Sequence, residues 1–234
     1  MDDRSVFDRL ERRWVEANNE RSRRLGAQAS VTVRGWRATF TDMIDQQAAL
    51  QADGRWVRGY EDLLGVLGLG RSELIHSAAL QWLLDPLGAH GLGVGLLRQL
   101  FQHVDAVVPP DGELVQADIR REVVHPLGRA DLLIDAPETR IVIENKIDAD
   151  EQPAQARRMV EAFDTGSAFF VYLTLHGGAP VTAHGVEDRW VPLSYRTVAT
   201  WLDDLTRPVS GGERLAARAY LATIERIAGG THRG

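Results

Sequence analysis

The sequence predicts an α/β protein: a mixed β-sheet with helices on both faces, preceded by a helical N-terminal extension. Three observations predict it. Helical periodicity dominates the first hundred residues. Three short runs rich in Val, Ile and Leu then follow one another between residues 114 and 147. Helical stretches alternate with two further apolar runs from there to the end, and no internal repeat or low-complexity segment interrupts the order.

Taken in order, residues 4–25 read as a helix with Phe7, Leu10 and Trp14 on one stripe. A second helix covers 36–52 and ends at Asp53-Gly54. Together they make an extension over 1–58, ahead of a domain over 59–234. "YEDLLGVLGLG" is apolar and punctuated by glycine, as in a short helix. Ser72 is placed to cap a helix through Leu84, stopped by Pro86. Residues 92–104 form another helix, and "VVPPDGE" a turn. Strands follow at 114–124, 129–135 and 140–147. Asp150 can cap a helix over 151–163, with Pro153 tolerated in its first turn. "AFFVYLTL" reads as a buried strand and "RWVPL" as another. Helices at 195–206 and 212–228 close the chain.

Bulk properties narrow the function. The 234 residues are 44% hydrophobic and 26% charged, ordinary for a globular protein of one large domain or a domain with an appended lobe. There is no cysteine, which excludes disulfides and thiolate metal sites. The N-terminus, "MDDRSVFDRLERRW", lacks an apolar signal core, and no apolar run is long enough to span a membrane. A cytoplasmic protein without membrane contact is expected. A net charge of −6 argues against coating nucleic acid by bulk electrostatics. A nuclease stays compatible, because its catalytic carboxylates are acidic. Residues 1–58 carry 11 basic and 9 acidic groups, and the remainder 16 and 24. The cluster Arg21, Arg23 and Arg24 reads as a solvated helix face before a phosphate contact.

One residue stands apart. Of 27 basic side chains, 26 are arginine, and Lys146 in "RIVIENKIDA" is the single lysine. "RADLLID-APET-RIVIENK" reads as a β-hairpin with a four-residue loop, Ala136 to Thr139. Asp135 then faces Arg140, Ile134 faces Ile141, Leu133 faces Val142 and Leu132 faces Ile143. Continued, Asp131 faces Glu144 and Arg129 faces Lys146. Opposed residues share a face, and so do Glu144 and Lys146, because side chains alternate along a strand. A one-residue slip would scatter them.

Two like charges side by side in apolar strands destabilise the fold unless one is protonated or a cation lies between them. Two hard oxygen ligands suit Mg²⁺ or Mn²⁺, with waters and a phosphate completing the shell. A lysine offers a compact ammonium that can position, or help deprotonate, an attacking water. An arginine keeps its proton and demands a planar partner. A metal, a water and an amine make a device for hydrolysing a phosphodiester. The bland alternative is a surface hairpin with a chance Glu–Lys pair. Asp131, the "IVI" strand, the register and the lysine's uniqueness weigh against it.

At this point "GRADLLI…IVIENKIDADEQPAQ" resembles the PD-(D/E)XK nuclease superfamily. Upstream, "ELIHSAALQWLLDPLGAHGLG" resembles the helical lead-in of one branch, with the pattern E-x-x-x-HS, an apolar helix, LLDP and HGLG. The two blocks occur in the right order over roughly residues 60–160. The resemblance implies a restriction-endonuclease-like core and divalent-metal cleavage of nucleic acid, most often DNA. It makes Asp131 the first motif acid, Glu144 the second and Lys146 the motif lysine. Asn145 fills the variable position and would lend its backbone carbonyl to the metal. Glu73 matches an acid that can hold or water-bridge the metal, although His76 follows it by three residues here and not four. Ala130 stands where the family name has proline. The family also carries Q-x-x-x-Y on the next helix. Gln155 matches its glutamine and Met159 replaces its tyrosine. Gln152 and Gln155 share a helical face, which equally suits a plain polar surface.

Other constellations are weaker. Glu73–His76 and Glu122–His125 are both E-x-x-H, as in di-iron bundles, but those need both pairs on helices, and the second sits in a strand-like stretch. His76 reads as a core histidine satisfied by the backbone, and His90 as a loop-packing residue. Glu122 reads as an edge-facing carboxylate before a metal ligand. "GLGVG" lacks the preceding strand of a phosphate loop. Trp82, Trp190 and Trp201 read as core. The function expected is therefore Mg²⁺- or Mn²⁺-dependent hydrolysis of nucleic acid, DNA first, with defence against foreign DNA by family analogy alone. The alternative is a non-catalytic nucleic-acid-binding or regulatory module that keeps the fold. A homodimer and a partner subunit are both left open.

Overall fold

The computed structural model describes residues 3–53, 59–60, 62–207 and 214–229. The chain divides into two compact units, Met1–Gly59 and Tyr60–Gly234. The first is built on one helix, α1 (Asp3–Ala52). Two helices were expected here, and the break between them does not occur. Gly26 and Gly35 lie within it, but a helix-interior glycine costs only about 1 kcal/mol and no proline interrupts. Ser30 and Thr39 return their hydroxyls to the carbonyls of Gly26 and Gly35, at 2.8 and 3.1 Å, so these polar residues stay within the helix. Trp14 of the predicted stripe is exposed. The side chains of Phe7 and Leu10 lie outside those described.

The second unit holds a five-stranded sheet in the order β1 (Asp118–His125), β2 (Gly128–Ala136), β3 (Thr139–Lys146), β4 (Ala168–Thr174), β5 (Trp190–Ser194). The first three strands are antiparallel, and β3, β4 and β5 are parallel. This is the mixed sheet expected. Helices α2 (Leu63–Val66), α3 (Glu73–Leu84), α4 (Gly95–His103) and α5 (Asp111–Leu114) precede it. Helix α6 (Gln155–Phe163) crosses between β3 and β4, and α7 (Tyr195–Thr206) and α8 (Leu215–Gly229) follow β5.

Alternation along the strands sorts the core into two layers. Leu132, Ile134, Ile141, Ile143, Val171 and Leu173 face one way, toward α3, α4, α7 and α8. Leu133, Val142, Phe170 and Tyr172 face the other, toward Met159, Val160 and Phe163 of α6. A strand buried on both faces reads as a continuous apolar run, which is why "RIVIEN" carries no polar alternation until its end.

Four boundaries differ from expectation. "VVPPDGE" contains the short helix α5, begun by Pro110 in extended conformation, and β1 starts only at Asp118. Helix α4 starts at Gly95, because Gly91 and Gly93 have φ of 69° and 54°, outside the helical region. Asp150 caps nothing; α6 begins after Ala154, at φ 53°. Pro153 disfavours helical backbone at Gln152, and Glu151 is occupied elsewhere. Its carboxylate accepts from Val181 N–H at 2.7 Å, Thr182 N–H at 2.9 Å, the Tyr172 hydroxyl at 2.9 Å and the Thr182 hydroxyl. At the other end, α8 begins at Leu215, and residues 212–213 of its expected start lie outside the described residues.

Candidate active site

The β2–β3 hairpin takes the predicted register: Asp135↔Arg140, Ile134↔Ile141, Leu133↔Val142 and Leu132↔Ile143. Pairing continues through Ala136↔Thr139, so the loop is two residues, Pro137 and Glu138, with Glu138 at φ 60°. The opposite end differs. The further pairs expected, Asp131 with Glu144 and Arg129 with Lys146, do not join the ladder, which stops at Leu132↔Ile143. The Asn145 N–H turns instead to the side chain of Asp131, at 2.8 Å from Oδ2. Arg129 pairs with Glu122 at 2.5 Å and stands 3.9 Å from Asp131 Oδ1. Glu122 occupies the left-handed region at φ 55°, where a non-glycine residue is strained.

Alternation still sends Asp131, Glu144 and Lys146 to the α6 face. The Glu144 side chain is 4% exposed. Its Oε1 accepts from Gln155 Nε2 at 2.5 Å and lies 3.3 Å from Lys146 Nζ. Its Oε2 is buried with no hydrogen-bond partner among the described residues. Burial, then the charge of Asp131, pushes the Glu144 carboxyl up to about 8, against the pull of Lys146. Burial also raises Asp131, while the Asn145 N–H and Arg129 draw it back. The site thus holds two carboxyl groups that crowd each other, one with an orphaned buried oxygen. An orphaned oxygen of this kind is costly unless a proton or a cation reaches it. Among the described residues no three His, Cys, Asp or Glu gather as a metal cage. A carboxylate pair and a backbone carbonyl fit Mg²⁺, which keeps several waters and takes one or two carboxylates.

Gln155 reaches the site from the first turn of α6. The Gln152 N–H donates to its Oε1 at 2.9 Å, which fixes the amide so that its nitrogen faces Glu144. Glu73 takes a different post. Its Oε1 accepts from the N–H groups of Ile147, Asp148 and Ala149 at 2.8, 3.2 and 3.0 Å, so the head of α3 pins the chain leaving β3. Arg71 pairs with Asp148 beside it. Asn145 sends its side chain to the opposite face of the sheet, where it is fully buried against Ser77, Tyr195 and the Glu73 carbonyl. Sequence reasoning missed Ser77, Tyr195, Tyr172 and Glu151. The only local signals were a serine and an asparagine at apolar-facing positions, and polar residues there need partners.

The remaining candidates resolve simply. His76 lies between the Gly70 carbonyl at 3.0 Å and the Tyr220 hydroxyl at 2.8 Å, so the backbone supplies half of its contacts. His125 ends β1, with its ring 5.7 Å from that of Phe163, and the two E-x-x-H pairs build no shared site. His90 holds its loop through the Asp85 carbonyl at 2.7 Å and the Leu92 N–H at 3.0 Å. Trp190 is buried, and Trp82 and Trp201 are half-buried against the core. Arg21, Arg23 and Arg24 are exposed, with Arg24 paired to Glu20.

The family model of the PD-(D/E)XK nuclease superfamily matches residues 61–222. No curated protein and no solved structure matches the chain.

Proposed function

The chain belongs to the PD-(D/E)XK nuclease superfamily, and from that premise we propose that it hydrolyses phosphodiester bonds of nucleic acid, with DNA as the first substrate, using Mg²⁺ or Mn²⁺. The observation that carries the reading is the orphaned Glu144 Oε2, buried beside Asp131 on the face that also presents Lys146.

Asp131, Glu144 and the Asn145 carbonyl would hold the cation. Bound there, it supplies Lewis-acid charge for the phosphoryl oxygens and a lowered pKa for water. Asp131 is kept in place by the Asn145 N–H, and Glu144 by Gln155. Lys146 lies next to Glu144 with a side chain 13% exposed, so its ammonium sits at the mouth of the site. It would hold the attacking water or a phosphate oxygen as a compact donor. Arg129, half exposed beside Asp131, supplies a permanent positive charge for the substrate backbone. Glu73 holds the turn after β3, which keeps Lys146 at its station; in this reading it acts on the metal only through the oxygen its amide contacts leave open. A role in defence against foreign DNA is carried over by family analogy.

The test is cleavage of circular DNA, linear DNA and RNA with Mg²⁺, Mn²⁺ or EDTA, with Asp131→Ala as control. Metal-dependent cleavage lost in the variant supports the reading. Binding without cleavage, unchanged by EDTA, would favour the non-catalytic module. No helix of the described residues is long and apolar enough to cross a membrane.

A further inference from the structure

We propose that Tyr195 is a positioning residue for the metal site, acting through the side chain of Asn145; the proposal rests on the nuclease reading above. Asn145 lies between Glu144 and Lys146 on β3 but points the other way, into the layer of α3, α7 and α8. Its hydrogen bonds can be assigned. Nδ2 lies 3.1 Å from the Glu73 carbonyl and 3.0 Å from Ser77 Oγ. A carbonyl only accepts, so the amide nitrogen must face Glu73. Oδ1 therefore faces Tyr195, and the Tyr195 hydroxyl donates to it at 2.8 Å. Tyr195 and Asn145 are both fully buried, so no water replaces this donor. Burial raises the Tyr195 phenol well above its ordinary range, so it is a donor at neutral pH.

Tyr195 is itself held. It opens α7, whose first turn is capped by Ser194. Its ring meets His76 edge-on at 5.3 Å, and His76 is tied to Gly70 and Tyr220. The Gly70 carbonyl also only accepts, so His76 Nε2 carries a proton. Burial lowers the His76 pKa, which leaves the ring neutral and Nδ1 accepting from the Tyr220 hydroxyl. Helices α3 and α7 thus meet at one amide, and α8 reaches it only indirectly, through Tyr220 and His76.

That amide sits where the sheet stops guiding β3 from the β2 side. Pairing with β2 ends at Ile143, and the next donor, the Asn145 N–H, holds the Asp131 carboxylate. A small rotation of the Asn145 peptide moves the Asp131 contact, the Asn145 carbonyl and the stems of Glu144 and Lys146 together. The side-chain bonds of Asn145 oppose that rotation from the far face of the sheet.

The test compares wild type, Tyr195→Phe, Asn145→Ala, their double variant, and Val104→Ala. The last removes buried methyls at the end of α4, away from the site, and matches a general loss of stability. Two quantities are read in the full chain: single-turnover DNA cleavage as a function of Mg²⁺, and the Mg²⁺-induced rise in melting temperature without DNA. Tyr195→Phe is expected to raise the half-saturating Mg²⁺ about ten-fold, the equivalent of one buried hydrogen bond, and to shrink the thermal shift at a fixed Mg²⁺ concentration. Val104→Ala should change neither. In the Asn145→Ala background the second substitution should add nothing, since both act through one bond. If Asn145→Ala does not fold, the Mg²⁺ dependence of Tyr195→Phe decides alone. A wild-type protein that cleaves, beside a Tyr195→Phe variant with unchanged Mg²⁺ dependence, overturns this inference and leaves the nuclease reading standing. A wild type that neither cleaves nor is stabilised by Mg²⁺ overturns both.

Discussion

Replacing Glu144 by glutamine should stabilise the metal-free protein while abolishing its activity. The carboxyl has an ordinary value of 4.5 and is raised to about 8 in the fold, by burial first and by Asp131 second. Between those values the folded state holds a proton that the unfolded chain has released. Stability from this group is therefore complete below pH 4.5 and is lost as the pH rises to about 8. At about 1.36 kcal/mol per pH unit, the cost at pH 7 is about 3 kcal/mol. Glutamine carries no such cost, and its Oε1 can still accept from Gln155. It forfeits the contact with Lys146, which leaves a net gain of about 2 kcal/mol at pH 7. For a chain of this size that corresponds to roughly 4–8 °C in melting temperature. The assay is thermal unfolding in EDTA from pH 5 to pH 8, with single-turnover cleavage alongside. The advantage of Glu144→Gln should shrink below about 1 kcal/mol at pH 5, because that pH lies only half a unit above the ordinary value of 4.5 at which the unfolded carboxyl begins to release its proton. With Mg²⁺ in excess the order should invert, because only the wild type gains from binding. Equal melting temperatures in EDTA at pH 8, or a gain that persists undiminished at pH 5, would refute the reasoning.

Three further outcomes follow from the same structure. Mg²⁺ or Mn²⁺ should raise the melting temperature of wild type by mass action, about 2.7 kcal/mol at a hundred times the dissociation constant, and Asp131→Ala should lose the effect; an identical shift in both would place the cation elsewhere. Lys146→Arg should keep the fold and the metal-induced shift but lose nearly all cleavage of plasmid DNA; near-wild-type cleavage would reduce the lysine to a mere charge. Asp62→Asn should destabilise by about 2 kcal/mol at neutral pH. Burial pushes Asp62 up, but bonds from Arg226, Thr223 and the Gly65 N–H outweigh it and hold the carboxyl at about 2. That contribution is present above 3.8 and lost as the pH falls toward 2, so the two proteins should converge in acid denaturation.

The sheet was legible in the sequence because its strands announce themselves locally. "ADLLI" and "RIVIE" are apolar on both faces, and a short loop joins them, so the register follows from matching one run against the other. That register alone puts Asp131, Glu144 and Lys146 on one face. What the sequence hid is non-local. Helix α6 starts four residues later than its local capping signal, because Glu151 is engaged by residues 172, 181 and 182. The helix predicted to break after Leu25 runs on, because hydrophobic periodicity fades there while helix propensity does not. The end of the β2–β3 ladder was misplaced because a side chain, Asp131, captured a backbone N–H that strand geometry assigns to a partner strand. Glu73 and Tyr195 lie 72 and 50 residues from Asn145, and nothing in a local window connects them.

The solitary lysine is then explained by what surrounds it. Lys146 ends β3, with Thr174 of β4 as its neighbour and Glu144 two residues back on the same face. Among the described residues its acceptor is Glu144 Oε1, which already accepts a hydrogen bond from Gln155. A guanidinium at this position would bring five donors to one partly occupied oxygen, and several would be left unpaired in a half-buried place. The one other oxygen of Glu144 is the orphan, which the cation reading assigns to the metal. An ammonium reaches the near oxygen and stops there. Arginine serves elsewhere where a carboxylate stands open to a planar fork, as at Arg71–Asp148 and Arg189–Asp164. At 146 the acceptor offered is a single oxygen shared with Gln155, which suits a point charge better than a planar fork.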